Sequence, residues 1–211
     1  MTASPRTLTL AFTGASGIGY GLRLLECLLG AGVHVHLVYS QVAHLVAKQE
    51  LDVVLPGRPA EAERHFTERY GAAPGQLRVF GKDDWYAPAA SGSNPADAMV
   101  VCPCTMGTLA AIAAGLADNL IERAADVMLK EKRPLILVPR ETPLSQIHLE
   151  NMLRLDRAGA TILPANPGFY HHPQSVQDVI DFIVARIMDH LGIAHQLMPR
   201  WGGEPHPVEG R

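Results

Sequence analysis

The chain has 211 residues, 47% of them hydrophobic and 18% charged, with a formal net charge of −3. That is enough apolar material for one substantial core without disulfide or metal staples, and a near-balanced charge with no Lys/Arg block excludes the basic footprint of a nucleic-acid binder. No apolar run approaches the roughly 20 residues that span a bilayer, and Met1 to Arg6 is too short and polar to begin a secretory signal, so a cytoplasmic protein with no membrane association is expected.

In chain order, short β-branched runs alternate with longer helical patterns. Leu8 to Thr13 reads as a strand that runs into Gly14-Ala15-Ser16-Gly17, with a helix from about Tyr20. Val33 to Tyr39 is the next strand, followed by a helix over Gln41 to Glu50. Between Pro56 and Pro95 the alternation breaks into a helix around Glu61 to Tyr70, a short strand Leu77 to Phe80, and a loop holding Trp85 to Ser93. Long loops of this kind usually carry function. The alternation resumes with the strand Ala98 to Cys102, a helix from Thr105, a helix over Asn119 to Glu131, the strand Leu135 to Val138 and a helix after Ser145. Ala160 to Leu163 is the final strand, and Ser175 opens the last helix. Strands apolar on both faces and separated by helices predict a doubly wound α/β fold: a Rossmann-like or flavodoxin-like parallel sheet with helices on both faces. A single domain is expected over residues 1–191, with 192–211 an irregular C-terminal tail that packs on a neighbour or frays.

Cys27, Cys102 and Cys104 make an odd count, and Cys102-Pro103-Cys104 is too tightly spaced for an easy bridge, so reduced thiols are expected. The pairs His34/His36 and His171/His172 have no CxxC or HExxH pattern beside them, so no metal site is expected.

Ligands of an open parallel sheet bind beyond the carboxyl ends of the strands, where loops meet helix N-termini whose free amides attract anions. Three ends are equipped for this. In Thr13-Gly14-Ala15-Ser16-Gly17-Ile18-Gly19 the glycines allow close backbone approach and Ser16 offers a hydroxyl, which suits a nucleotide phosphate and also a tight steric turn. Cys102-Pro103-Cys104-Thr105-Met106-Gly107-Thr108 turns into the Ala-rich helix Leu109 to Ala114, where Thr105 or Thr108 caps the helix or binds an anion. Pro139-Arg140-Glu141 brings an arginine and a glutamate to a third end. Arg123 and Lys130, seven residues apart, share nearly one helix face suited to a phosphate, unless Lys130 pairs with Asp126 at i,i+4. In the last helix Ser175 and Asp178 predict a capping box, and Val176, Val179, Ile180, Ile183, Ile187 and Leu191 an apolar stripe. Arg186 borders that stripe, reaching inward or snorkelling. Val33 to Tyr39 ends in Ser40 where a dinucleotide fold places an acidic residue for the ribose, which argues against NAD. No tyrosine has a lysine four residues on, so the catalytic pair of short-chain dehydrogenases is missing too.

Gly14-Ala15-Ser16-Gly17, Glu50, Trp85 to Ser93, Cys102 to Thr108, Asn119-Leu120-Ile121-Glu122-Arg123-Ala124, Pro139-Arg140-Glu141 and Gly168-Phe169-Tyr170, taken in order, resemble the flavin prenyltransferases of the UbiX family over nearly the whole chain. The resemblance implies an enzyme that binds reduced FMN and, without a metal, attaches a dimethylallyl group from dimethylallyl phosphate to the flavin N5 and C6, closing a fourth ring. The product would serve UbiD-type decarboxylases. By resemblance, Gly14, Ala15, Ser16, Ser40, Thr105, Met106, Gly107, Thr108 and Arg140 hold FMN. Trp85, Arg123, Lys130, Glu141, Tyr170 and Arg186 surround the donor, and Ser16, Glu50, Arg123, Lys130 and Glu141 carry the catalysis. Cleaving an allylic carbon–oxygen bond leaves more charge on phosphate, which preplaced cations stabilise. Trp85 fits as a π-face for the allyl cation or, equally, as a core or interface residue, and Glu141 with Ser16 would relay a proton. Thr105 stands where the family has serine; the hydroxyl survives. Helices rich in Ala and Gly, such as Leu109 to Gly115, suit a homo-oligomer, and the resemblance implies an assembly of up to a dodecamer with active sites between subunits. Two alternatives stay open. One is an FMN-dependent cysteine decarboxylase of the phosphopantothenoylcysteine type, which carries a histidine after the second strand, where this chain has Gln41-Val42-Ala43-His44. The other is a non-catalytic flavin-binding or regulatory protein.

Overall fold

The computed structural model describes residues 7–198. Six strands, β1 (Thr7–Phe12), β2 (His34–Tyr39), β3 (Leu77–Phe80), β4 (Ala98–Cys104), β5 (Leu135–Pro139) and β6 (Thr161–Ile162), form one sheet in the order β3-β2-β1-β4-β5-β6. All five pairings are parallel. Parallel neighbours need crossovers, and here helices supply them: α1 (Ile18–Gly30), α2 (Gln41–Leu51), α3 (Pro59–Tyr70), α4 (Met106–Ala114), α5 (Leu120–Lys130), α6 (Gln146–Arg157) and α7 (Val176–Leu191). The doubly wound architecture follows from strands such as β4 and β5, buried along their whole length and therefore in need of cover on both faces.

Two apolar clusters occupy the two faces. Leu22 to Leu29 of α1, Ala43 and Ala47 of α2, Phe66 of α3 and Ile183 to Leu191 of α7 pack with Leu8, Leu10, Leu37 and Val100. Met106 to Ala113 of α4, Leu120 to Met128 of α5 and Leu155 of α6 pack with Ala11, Val38, Met99 and Val101. Adjacent strand residues therefore feed opposite layers, as the pleat dictates. Each fully buried Leu or Ile contributes about 1.5–3 kcal/mol.

Element ends differ from the sequence reading by a residue or two, each for a local reason. α1 begins at Ile18, two residues ahead of Tyr20, because Gly17 adopts φ 102°, a left-handed turn that swings the chain straight into the helix. β4 continues past Cys102 through Pro103 to Cys104, with a register irregularity between Val101 and Cys104 where proline has no amide to give the ladder. In α7 the Ser175/Asp178 capping box forms, and Ile183, Ile187 and Leu191 are buried, but Val176 lies 76% exposed beyond the edge of the core. Arg23 Nε and Nη2 donate to the Asp181 carboxylate at 2.8 and 3.3 Å, tying α1 to α7. Gly192 ends α7, Ile193 is buried, and residues 199–211 of the expected tail lie outside the described residues. Among the described residues no helix is long and apolar enough to cross a membrane.

Candidate active site

The strand order reverses between β1 and β4, and ligands of doubly wound sheets bind in the crevice beyond such a reversal. Thr13, 1% exposed, fixes both sides of that crevice. Its amide and hydroxyl donate to the Pro103 carbonyl at 3.1 and 2.8 Å, and its Oγ1 accepts from the Thr105 amide at 2.8 Å. The Gly14 loop and the start of α4 are thereby locked side by side.

The first amides of α1 are already engaged. Glu50, in the last turn of α2, accepts from the Gly17 amide at 2.9 and 3.1 Å and from the Ile18 amide at 3.2 Å. A carboxylate at a helix N-terminus is favoured by the helix dipole. So the loop amides expected to receive a phosphate form a seat for Glu50, with Ser16 exposed beside it. Gly14 is glycine because a Cβ there would lie 2.4 Å from Val42 Cγ1, so its close approach is to α2. Tyr20, which the sequence reading left out, packs its ring on Gly17; burial, with Cys102 and Glu50 nearby, holds its phenol above the usual range.

At α4, Thr105 Oγ1 caps the Thr108 amide at 3.0 Å and donates to Thr108 Oγ1 at 3.0 Å, so both hydroxyls serve the helix start. The amides of Met106 and Gly107, which no helix turn can satisfy, remain. A Cβ on Gly107 would meet only Thr105 Oγ1, at 3.9 Å, so the space above it is open. Ser40 caps α2 through the Ala43 amide at 3.3 Å. Arg140, directly after β5, has a buried Nε with no acceptor, and Glu141 beside it is exposed, accepting from the Thr142 amide at 3.2 Å. The cysteines offer no nucleophile. All three are free, and burial pushes Cys104 up to about 12 and Cys102 higher still.

A second group lies on the other layer. Arg123 Nε donates to the Ala90 carbonyl at 3.0 Å and Nη1 to Asp126 at 2.6 Å, so Asp126 pairs with Arg123 and Lys130 turns to Glu131. The Trp85 loop runs alongside α5. The Lys82 carbonyl accepts from the Leu120 amide at the carboxyl end of the sheet, whereas a Cβ on Gly92 would lie 2.4 Å from Lys130 Nζ near the amino end, where Arg133 meets Asp97. Lys130 is thus separated from Glu50 by the sheet's thickness and by the length of β4, about 20 Å. Trp85 is 47% exposed in that loop. Tyr170 follows β6 at the carboxyl end, edge-on to Phe182. Arg186, well down α7, stays outside and pairs with Asp189 at 2.8 Å.

The structure brings Gly14, Ala15, Ser16, Ser40, Glu50, Thr105 to Thr108, Arg140 and Glu141 to the carboxyl ends of the strands, with Arg123 in the first turn of α5 on the other layer; it places Lys130 of the same chain toward the opposite end of the sheet. Beyond Tyr20, the sequence reading missed Asp126 as the partner of Arg123. The i,i+3 spacing was its available signal.

A parallel sheet with an anion seat and uncapped amides at its reversal point is the frame of a nucleotide-binding α/β protein. Residues 2–188 match the family described as Flavoprotein. The chain is 59% identical over 206 residues to the flavin prenyltransferase UbiX of Pseudomonas aeruginosa, covering 98% of each. Among solved structures it is similar to AnUbiX (PadA1) in complex with FMN and dimethylallyl pyrophosphate, 43% identical with a TM-score of 0.84 over 95% of this chain and 99% of that one. It is also similar to a dodecameric FMN-dependent UbiX-like decarboxylase of Escherichia coli O157:H7, 41% identical with a TM-score of 0.82 over 93% and 100%. The chain belongs to the flavoprotein family and, within it, to the UbiX flavin prenyltransferases. The residues present fit a flavin nucleotide. Phosphate oxygens and ring carbonyls are acceptors, and the orphaned Arg140 Nε and the open turn at Gly107 offer donors and room.

Proposed function

We propose that this chain is a cytoplasmic, metal-independent flavin prenyltransferase that joins the dimethylallyl group of dimethylallyl phosphate to N5 and C6 of reduced FMN, releasing phosphate. The observation that carries the reading is the Glu50 carboxylate seated on the Gly17 and Ile18 amides beside Ser16, next to the donor-rich edge at Met106, Gly107 and Arg140.

The reduced flavin supplies the electron-rich N5 and C6 that accept the allyl group. The protein holds it through Arg140, Ser40 and the first turn of α4, with Gly14, Ala15 and Ser16 lining the opposite wall of the crevice. Glu50 Oε2 accepts from both amides while Oε1 accepts only a longer bond from Gly17, so Oε1 keeps capacity to take a proton. Arg123 and Lys130 neutralise the phosphate as charge grows on it, with Tyr170, Arg186 and Trp85 completing the donor pocket and Glu141 with Ser16 passing it a proton. Because Lys130 lies at the far end of the sheet from Glu50, both serve one site only if two copies meet there. A homo-oligomer, up to a dodecamer, with sites between subunits satisfies this; the dodecameric relative supports it. The prenylated flavin passes to a UbiD-type decarboxylase.

The cysteine decarboxylase reading gains nothing from His44, which bonds the Leu55 carbonyl at 2.9 Å and stands edge-on to Tyr39 about 9 Å along α2 from Glu50. Anaerobic incubation with reduced FMN and dimethylallyl phosphate, followed by mass measurement of the released flavin, tests the proposal. A gain of one five-carbon unit is expected, and an unchanged flavin mass would refute it.

A further inference from the structure

The loop from β6 to α7 carries Gly168-Phe169-Tyr170-His171, and its two last rings meet Phe182 of α7 in one cluster. His171 stacks on Phe182 with ring centroids 5.2 Å apart and planes 18° from parallel. Tyr170 stands edge-on to both, 5.8 Å from His171 at 77° and 5.8 Å from Phe182 at 75°. There is no slack in this packing: a Cβ on Gly168 would lie 2.8 Å from Tyr170 Cε1 and 3.1 Å from Phe182 Cζ.

Both nitrogens of His171 are buried and neither has a hydrogen-bond partner. Burying polar nitrogens unpaired is unfavourable, so hydrogen bonding does not explain the imidazole's place. Its flat ring does. Offset stacking on Phe182 and an edge-to-face contact with Tyr170 are the arrangements that aromatic quadrupoles favour. The carboxylate near this imidazole, Asp178, is committed to the amides of Gln174 and Ser175 at 2.7 and 3.0 Å.

We infer that His171 is a positioning residue: a planar ring that, stacked on Phe182, gives Tyr170 a second face to stand against and so sets the angle at which the tyrosine meets the donor phosphate. This rests on the proposed place of Tyr170 in the donor pocket. His171 acts through Tyr170 and touches neither donor nor flavin.

The test compares His171→Phe and His171→Ala in the full chain loaded with oxidised FMN, where dimethylallyl phosphate binds without turnover and its affinity is read by calorimetry. Steady-state kcat and KM with reduced FMN and the melting temperature accompany it. The phenylalanine variant should match the parent in donor affinity and KM within about twofold and melt no lower, since it keeps the ring and removes two unpaired nitrogens. The alanine variant should weaken donor affinity and raise KM about five- to tenfold while kcat and FMN affinity stay within about twofold. Unchanged donor affinity in the alanine variant would overturn the inference. So would a phenylalanine variant as impaired as alanine, which would make a nitrogen the working group. A parent protein that adds no five-carbon unit to flavin would instead remove the functional reading beneath it.

Discussion

Arg123, proposed to meet the donor phosphate, is held in place by the protein itself. Its guanidinium is only 32% exposed and is fixed at two points, Nε on the Ala90 carbonyl and Nη1 on Asp126, which leaves the rest of the fork for an anion. An arginine held in this way loses less rotamer freedom on binding. Removing the carboxylate should therefore cost donor binding more than chemistry. For Asp126→Ala we expect KM for dimethylallyl phosphate to rise about three- to tenfold, equivalent to about 1 kcal/mol, with kcat changed less than twofold. A variant whose kcat falls while KM holds would show that Asp126 does not act by positioning Arg123. From sequence, Asp126 is compatible with Lys130 at i,i+4 as well as with Arg123 at i,i+3. What decides between them is the Ala90 carbonyl, 33 residues away in sequence, which turns Arg123 back along the helix. Similarly, the Gly14 to Gly17 loop is legible from sequence, but not that Glu50 occupies its amides, because that contact spans two elements.

At the level of elements, strand and helix positions follow from apolar periodicity and from Ser/Thr/Asn caps, and Ser40, Thr105, Asn119, Ser145 and Ser175 all cap helices through their side chains. Periodicity says less about ends, since one left-handed glycine moved the start of α1 and one proline failed to stop β4. Nor does it reveal which polar strand residues are partly covered. His36 on β2 is an example. Burial, then Arg78 and His34, lower it to about 4, below the roughly 6.5 of an unfolded histidine. The unfolded chain thus takes the proton first, so this contribution to stability is full above about pH 6.5 and is lost as pH falls toward 4. Because the ring is part-exposed, solvent screening limits the loss to on the order of 1 kcal/mol. Urea unfolding at several pH values should show a shallower decline between pH 6.5 and 4 in His36→Asn than in the parent. Parallel pH dependences in the two proteins would rule this out.

Over the whole molecule, the sheet divides the proposed catalytic groups. Glu50 sits with α1 and α7 at the carboxyl end, and Lys130 sits on the other layer beside Gly92 near the amino end. No side-chain motion spans that distance, so one site that uses both must draw on two copies of the chain, and a heterologous contact joins different surfaces of each. Sequence alone places both residues in a list of site residues; only topology shows that they cannot meet within one chain. The direct test mixes two inactive variants, Glu50→Gln and Lys130→Ala, under conditions that let subunits reassort, and measures prenylated flavin by mass. In an equal mixture each site draws an intact Glu50 with probability one half and an intact Lys130 with probability one half, so about one quarter of the parent activity should return. A mixture as inactive as either variant alone would place both residues in the same chain's site and contradict the account.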